Sequence, residues 1–99
     1  MSLTPVKRLD IIIDAVHKDS VLEALEREGI NAYSIVAAVQ GKGDRGERLA
    51  DDLTDVFQNV QIITTCQPEQ VEPITQALTP MLQRRGGVCL VSDAQWLDH

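Results

Sequence analysis

The sequence predicts an α+β domain in which two strand–helix–strand units contribute to one sheet. Three observations predict it. β-Branched apolar runs occupy residues 7–16, 32–39, 60–66 and 88–91; helix-like amphipathic runs lie between the first pair and between the second pair; and one segment dense in glycine and charge, residues 40–48, separates the halves.

In the first strand, Leu9, Ile11, Ile13 and Ala15 fall on one side of an extended chain and Ile12 and Val16 on the other. Ser20 followed by Glu23 has the spacing of a capping box. Val21, Leu22 and Leu25 share a helical face, and Gly29 suits the left-handed residue that ends a helix near Glu28. Residues 32–39 are β-branched and nearly uncharged, so this second strand is expected to be covered on both sides. The glycine-rich stretch reads as an exposed loop. Leu49, Leu53 and Val56 recur beyond it at helical spacing among Asp51, Asp52 and Asp55, which suggests a short amphipathic helix.

Val60 to Cys66 forms the third strand, and Pro68 suits the first turn of a second helix that buries Val71, Ile74, Leu78, Met81 and Leu82. Pro73 and Pro80 are expected to distort it. Arg84 and Arg85 fit its last turn, Gly86 and Gly87 end it, Val88 to Val91 forms the fourth strand, and Ser92 to His99 is left as a tail. The order βαβ, loop, βαβ is that of the split-βαβ, ferredoxin-like sandwich, a single domain over residues 1–99. Its helices cover one sheet face. The other face, with Ile12, Val16 and one side of residues 35–39, also needs burial, which predicts a homo-oligomer with its sheets facing inward, unless Asp10 or Asp14 brings charge into that face.

The chain has 99 residues with 9 Lys+Arg against 15 Asp+Glu, and one Trp, one Tyr and one Phe. An acidic balance with so few aromatics offers neither a basic phosphate-tracking face nor a base-stacking platform, so nucleic acid is not an expected partner. No apolar run approaches the roughly 20 residues of a membrane span, and the N-terminus has no apolar signal segment, which predicts a cytoplasmic protein. Cys66 and Cys89 lack CxxC spacing and are expected to be reduced core thiols. His17 and His99 stand alone, without an acid–base partner, and the sequence is not read as an enzyme. The aspartates at 51, 52 and 55 read as a solvated helix face.

The chemistry concentrates at two cationic glycine turns. In Gln40-Gly41-Lys42-Gly43-Asp44-Arg45, glycines flank a lysine so that backbone N–H groups can turn toward one point, with Lys42 and Arg45 adding charge. This is a cradle for phosphate or carboxylate, although it matches neither the Walker A loop nor GxGxxG, and a solvated loop is the plain alternative. In Arg84-Arg85-Gly86-Gly87 the arginines either cap the second helix or join that cradle from a neighbouring subunit.

Taken together, these residues resemble the PII-like signalling proteins, in particular the short variety associated with bicarbonate transport and carboxysomes. The resemblance spans residues 6–97. It rests on the element order, on Gly29 to Tyr33 leading into the second strand, on Gly41-Lys42-Gly43-Asp44-Arg45 beside that family's GKGSR at the base of its T-loop, and on Gly87-Val88-Cys89-Leu90-Val91-Ser92-Asp93-Ala94 beside its last strand.

The resemblance implies a homotrimer of ferredoxin-like subunits with adenine nucleotide in each inter-subunit cleft and residues 40–57 as the T-loop. It would put Tyr33 and Ser34 beside the adenosine, Gln40, Gly41, Lys42, Gly43 and Arg45 at the phosphates, and Arg85, Gly86 and Gly87 closing the cleft. Bicarbonate would sit beside the phosphates, and a bicarbonate transporter or carboxysome-associated protein would be the partner. The 40–57 segment has no tyrosine, so uridylylation is not expected. Arg84 to Gly87 stands where true PII proteins have a glycine-aspartate-glycine-lysine turn, which makes ADP or AMP, rather than ATP, the expected ligand. A trimeric interaction module using Leu49, Leu53, Val56 and Phe57, or a metal-tolerance protein of related architecture, is the alternative.

Overall fold

The computed structural model describes residues 2–39, 42–43, 46–47 and 58–99. The elements are β1 (Leu3–Asp14), α1 (Lys18–Arg27), β2 (Ser34–Val39), β3 (Lys42–Gly43), β4 (Gly46–Glu47), β5 (Asn59–Cys66), α2 (Val71–Arg85) and β6 (Val88–Leu97). Four strands form one antiparallel sheet in the order β2-β5-β1-β6, and β3 pairs with β4 as a separate two-residue ladder. This is the expected ferredoxin-like sandwich, with both helices on one face. Part of the segment expected to be a plain loop is therefore paired. The helix expected around Leu49 to Val56 lies outside the described residues.

Alternation in β1 and β5 sends Leu9, Ile11, Ile13, Val60, Ile62 and Cys66 under the helices, where Val21, Leu25, Ile74 and Leu78 meet them. Leu9, Ile11, Ile62, Val21 and Leu25 are fully buried, so each contributes on the order of 2 kcal/mol by removal from water.

The first helix starts earlier than its capping-box spacing implied. A 3-10 turn over Ala15–His17 runs straight into Lys18, so Ser20 is already helical and no side chain caps the start. Val16, expected in the strand, is in that turn and exposed. The other end is as expected. The Gly29 N–H donates to the Glu26 carbonyl and the Ile30 N–H to the Leu25 carbonyl, both at 3.0 Å, with Gly29 at φ 88° and Ile30 buried. That bond pair is a Schellman closure, whose left-handed residue favours glycine. The Gln70 amide donates to the Glu28 carbonyl at 3.0 Å, tying the close of α1 to the approach to α2.

A 3-10 turn over Pro68–Gln70 precedes α2, and the helix then continues through both prolines to Arg85. Pro73 sits in the first turn, where its missing N–H is not needed. Around Pro80 the hydroxyls of Thr75 and Thr79 donate to the carbonyls of Val71 and Thr75 at 2.8 and 2.7 Å.

Two expectations need correction. Residues 92–97 are not a tail: β6 runs on to Leu97, paired with β1 back to Leu3. The sequence there is too polar for a strand on pattern alone, and backbone pairing holds it, aided by Asp98 accepting from the Ser2 and Thr4 hydroxyls at 2.6 and 2.9 Å. Nor does the chain cover β2 on both sides. It is an edge strand, with Ser34, Ile35, Val36 and Ala37 exposed.

Candidate functional site

The end of β2, from which the chain leads toward Lys42–Gly43, and the Gly86–Gly87 turn stand at one end of the sheet and at opposite edges. Register links Val36, Gln61, Ile12 and Val88 in one row and Val39, Asn59 and Asp14 in the row nearest that end. The chain thus leaves β2 toward Lys42 on one edge and enters β6 from Gly87 on the other. β5 and β1 lie between them, about 14 Å at ordinary strand spacing.

The Gly86–Gly87 turn is tightly built. Gly86 is buried at φ 79° and its N–H donates to the Leu82 carbonyl at 2.9 Å, closing α2 directly after Arg85. Gly87 has φ 118°, and a Cβ there would stand 2.7 Å from the Ile12 carbonyl oxygen, so this position excludes a side chain. Arg84 and Arg85 remain exposed in the last turn of α2.

Tyr33 and Ser34 are exposed where the chain enters β2. They are held from behind: the buried Thr64 hydroxyl donates to the Ala32 carbonyl at 2.7 Å. Ser34 shares the row of Ile63, Asp10 and Leu90, so it is inset from the end at which Gly87 stands.

The structure therefore brings Arg85, Gly86 and Gly87 together, and Tyr33 and Ser34 together, but keeps the two groups on opposite edges. Lys42 and Gly43 begin the small ladder opposite Glu47 and Gly46. Gln40, Gly41 and Arg45 lie outside the described residues. Among the described residues of one chain, Tyr33 and Ser34 do not meet Arg85, Gly86 and Gly87.

The helix-free face carries a polar cluster that sequence reading singled out only as a possible objection. Arg8 and Asp10 project from it and form a two-pronged pair, with Nε to Oδ2 and an Nη to Oδ1 both at 3.0 Å; the Gln61 amide adds a bond at 3.1 Å. The guanidinium of Arg8 holds the Asp10 carboxyl below its ordinary range against the opposing effect of burial. The i, i+2 spacing of an arginine and an aspartate on a strand was the available signal. Asp10 thus brings its charge together with a partner. Around the cluster Val36, Val88, Leu90 and Trp96 are between 44% and 56% exposed. Trp96 stacks on His99 at 6.5 Å between ring centroids.

Cys66 is buried, Cys89 half-buried, and both are free thiols. Burial, with the Glu69 carboxylate behind it, pushes the Cys66 thiol up, and burial followed by Asp10 does the same for Cys89, so neither is activated as a thiolate. Among the described residues no group of three or more His, Cys, Asp or Glu side chains stands together, and no helix is long and apolar enough to cross a membrane.

Comparison with known proteins decides the family. The family model described as nitrogen regulatory protein P-II matches residues 6–98. The chain belongs to the PII family. Among solved structures, a PII-like protein of Thiomonas intermedia K12, CPII, bound to ADP, AMP and bicarbonate, is 30% identical with a TM-score of 0.88, the match covering 96% of this chain and 91% of that one. CPII bound to ADP and bicarbonate is 32% identical with a TM-score of 0.85 over the same shares. A PII-like signalling protein of Thermus thermophilus, at 24% identity, shares the fold with a TM-score of 0.80, covering 98% of this chain and 94% of that one. No curated protein sequence matches the chain. PII membership places the chain among signalling proteins.

Proposed function

We propose that this chain is a non-enzymatic adenylate sensor of the cytoplasm that works as a homotrimer, binds ADP or AMP between subunits together with bicarbonate, and passes occupancy to a partner through residues 40–57. The observation that carries the reading is the separation of the two glycine turns. β2, which leads toward the first turn, and β6, which follows the second, lie about 14 Å apart on opposite sheet edges, a distance that closes when the β6 edge of one subunit meets the β2 edge of the next. The bare sheet face supports the assembly, since Val36, Val88, Leu90 and Trp96 are left about half exposed on the side without helices.

In the assembled cleft, Tyr33 and Ser34 border the adenosine. Gln40, Gly41, Lys42, Gly43 and Arg45 bind the phosphates from one subunit, and Arg85, Gly86 and Gly87 close over them from the other. Glycine at 87 lets the turn hold its left-handed backbone packed against the Ile12 carbonyl. Backbone N–H groups and a guanidinium suit bicarbonate as well as phosphate. CPII, bound to ADP and bicarbonate, supports the ligand pair. An inorganic-carbon transporter or carboxysome-associated protein is the partner this ligand pair suggests.

The test is a calorimetric titration of ADP with and without bicarbonate. Binding should tighten with bicarbonate, and bicarbonate binding should tighten with ADP by the same factor, as linkage requires. Arg45→Ala and Gly43→Val should weaken ADP binding while leaving the oligomer intact. Absence of heat with any adenine nucleotide would favour a ligand-free interaction module, for which the apolar positions Leu49, Leu53, Val56 and Phe57 would serve.

A further inference from the structure

Among residues whose side chains are described, the cations fall into two sets. Lys7 pairs with Asp93, Arg8 with Asp10, and Arg27 reaches Glu23 at 3.9 Å. Lys18, Arg84 and Arg85 have no carboxylate partner among the described residues, although the chain has 15 acidic residues to offer. All three stand where α1 begins and α2 ends.

Between those helix ends opens a cleft of about 330 Å³, walled by His17 and Ser20 on one side and by Arg84 and Arg85 on the other, with Pro80 and Met81 in its lining and no carboxylate. Its volume is at the small end of the range for organic ligands, roughly 300 to 1,000 Å³. The dipole of α2 accounts for cations in its last turn, but not for a histidine and a serine across a cleft without carboxylates. The opposed ends of α1 and α2 nearly cancel as dipoles, which leaves the two guanidiniums to set the sign of the potential. Adjacent guanidiniums repel one another unless an anion bridges them.

We propose that this cleft binds a phosphoryl group carried on a small apolar body. Arg84 and Arg85 take the phosphoryl oxygens in forked hydrogen bonds, Ser20 and His17 supply further donors, and Pro80 and Met81 receive the apolar part. The site belongs to the helical layer. It is separate from the sheet-edge nucleotide cleft, with which it shares Arg85 alone.

The probes are phenyl phosphate, inorganic phosphate and phenol, titrated into the full chain and followed by amide and side-chain NMR shifts. Phenyl phosphate should bind more tightly than inorganic phosphate, phenol should not bind, and the shifts should centre on His17, Ser20 and Arg84. Arg84→Ala at an exposed position and His17→Ala at a half-buried one should each weaken phenyl phosphate about tenfold while leaving ADP affinity unchanged. No binding of phenyl phosphate at roughly 10 mM, or binding that neither variant alters, would overturn the proposal. A parallel loss of ADP affinity in Arg84→Ala would overturn it too, by making the cleft part of the nucleotide site. Failure of the nucleotide reading would register differently, as unaltered protein that binds phenyl phosphate but not ADP.

Discussion

The two faces of one sheet are finished in different ways. Under the helices, Leu9, Ile11, Ile62 and Leu25 are sealed from solvent by residues of the same chain. On the opposite face Val36, Val88 and Leu90 remain about half exposed around the Arg8, Asp10 and Gln61 cluster. The same alternating strands supply both faces, so composition is not the difference; the difference is that both helices lie on one side. The closed face makes the protomer, and under the proposed function the bare face and the β2 and β6 edges are where another subunit completes the site.

The contrast can be broken most severely from the closed side. Ile11→Ala should cost about 2 to 5 kcal/mol, because rigid neighbours cannot fill the cavity, and urea unfolding should show the midpoint falling accordingly. Gly87→Ala comes next, at about 1 to 3 kcal/mol, since it adds a Cβ 2.7 Å from the Ile12 carbonyl oxygen at a left-handed φ; thermal unfolding would read it, and ADP binding should weaken with it. Leu90→Glu on the bare face should leave the protomer's secondary structure intact while lowering the mass seen by light scattering. A trimer unchanged by that substitution would place the interface elsewhere.

The smallest effect concerns Asp10. Its folded-state carboxyl is held below the ordinary range, chiefly by its bond to Arg8, so the stability it contributes is present above the unfolded carboxylate pKa near 4 and disappears as pH falls through the depressed folded value. Asp10→Asn should therefore flatten the dependence of unfolding free energy on pH below about 4, its small loss of stability being present at neutrality and vanishing in acid. Chemical denaturation at several acid pH values checks it.

Much of this was legible in the residues themselves. Leu9, Ile11 and Ile13 alternate where the buried side of β1 lies, Gly29 marks the close of α1, and Gly86 and Gly87 mark the end of α2, because each signal is local and the fold agrees with it. What failed to show were features fixed by pairing across the sheet. The 92–97 stretch has no apolar alternation and is a strand because β1 extends back to Leu3 beside it. β2 looked like a strand covered on both sides because its residues are apolar, but apolarity does not say which chain supplies the cover. Ser20 had the right spacing for a cap, yet the 3-10 turn at Ala15–His17 started the helix before it. The candidate site was legible as two turns and not as one place, since local spacing does not say which strands stand between them.

Mixed assembly tests that central claim most directly. Arg45→Ala and Arg85→Ala proteins, each impaired alone, are unfolded together, refolded as mixed trimers and titrated with ADP. If each cleft takes its loop from one subunit and its glycine turn from the next, about one intact cleft should reappear per mixed trimer, with the affinity of the unaltered protein. If no tight site returns, loop and turn act within one chain, and the between-subunit account is wrong.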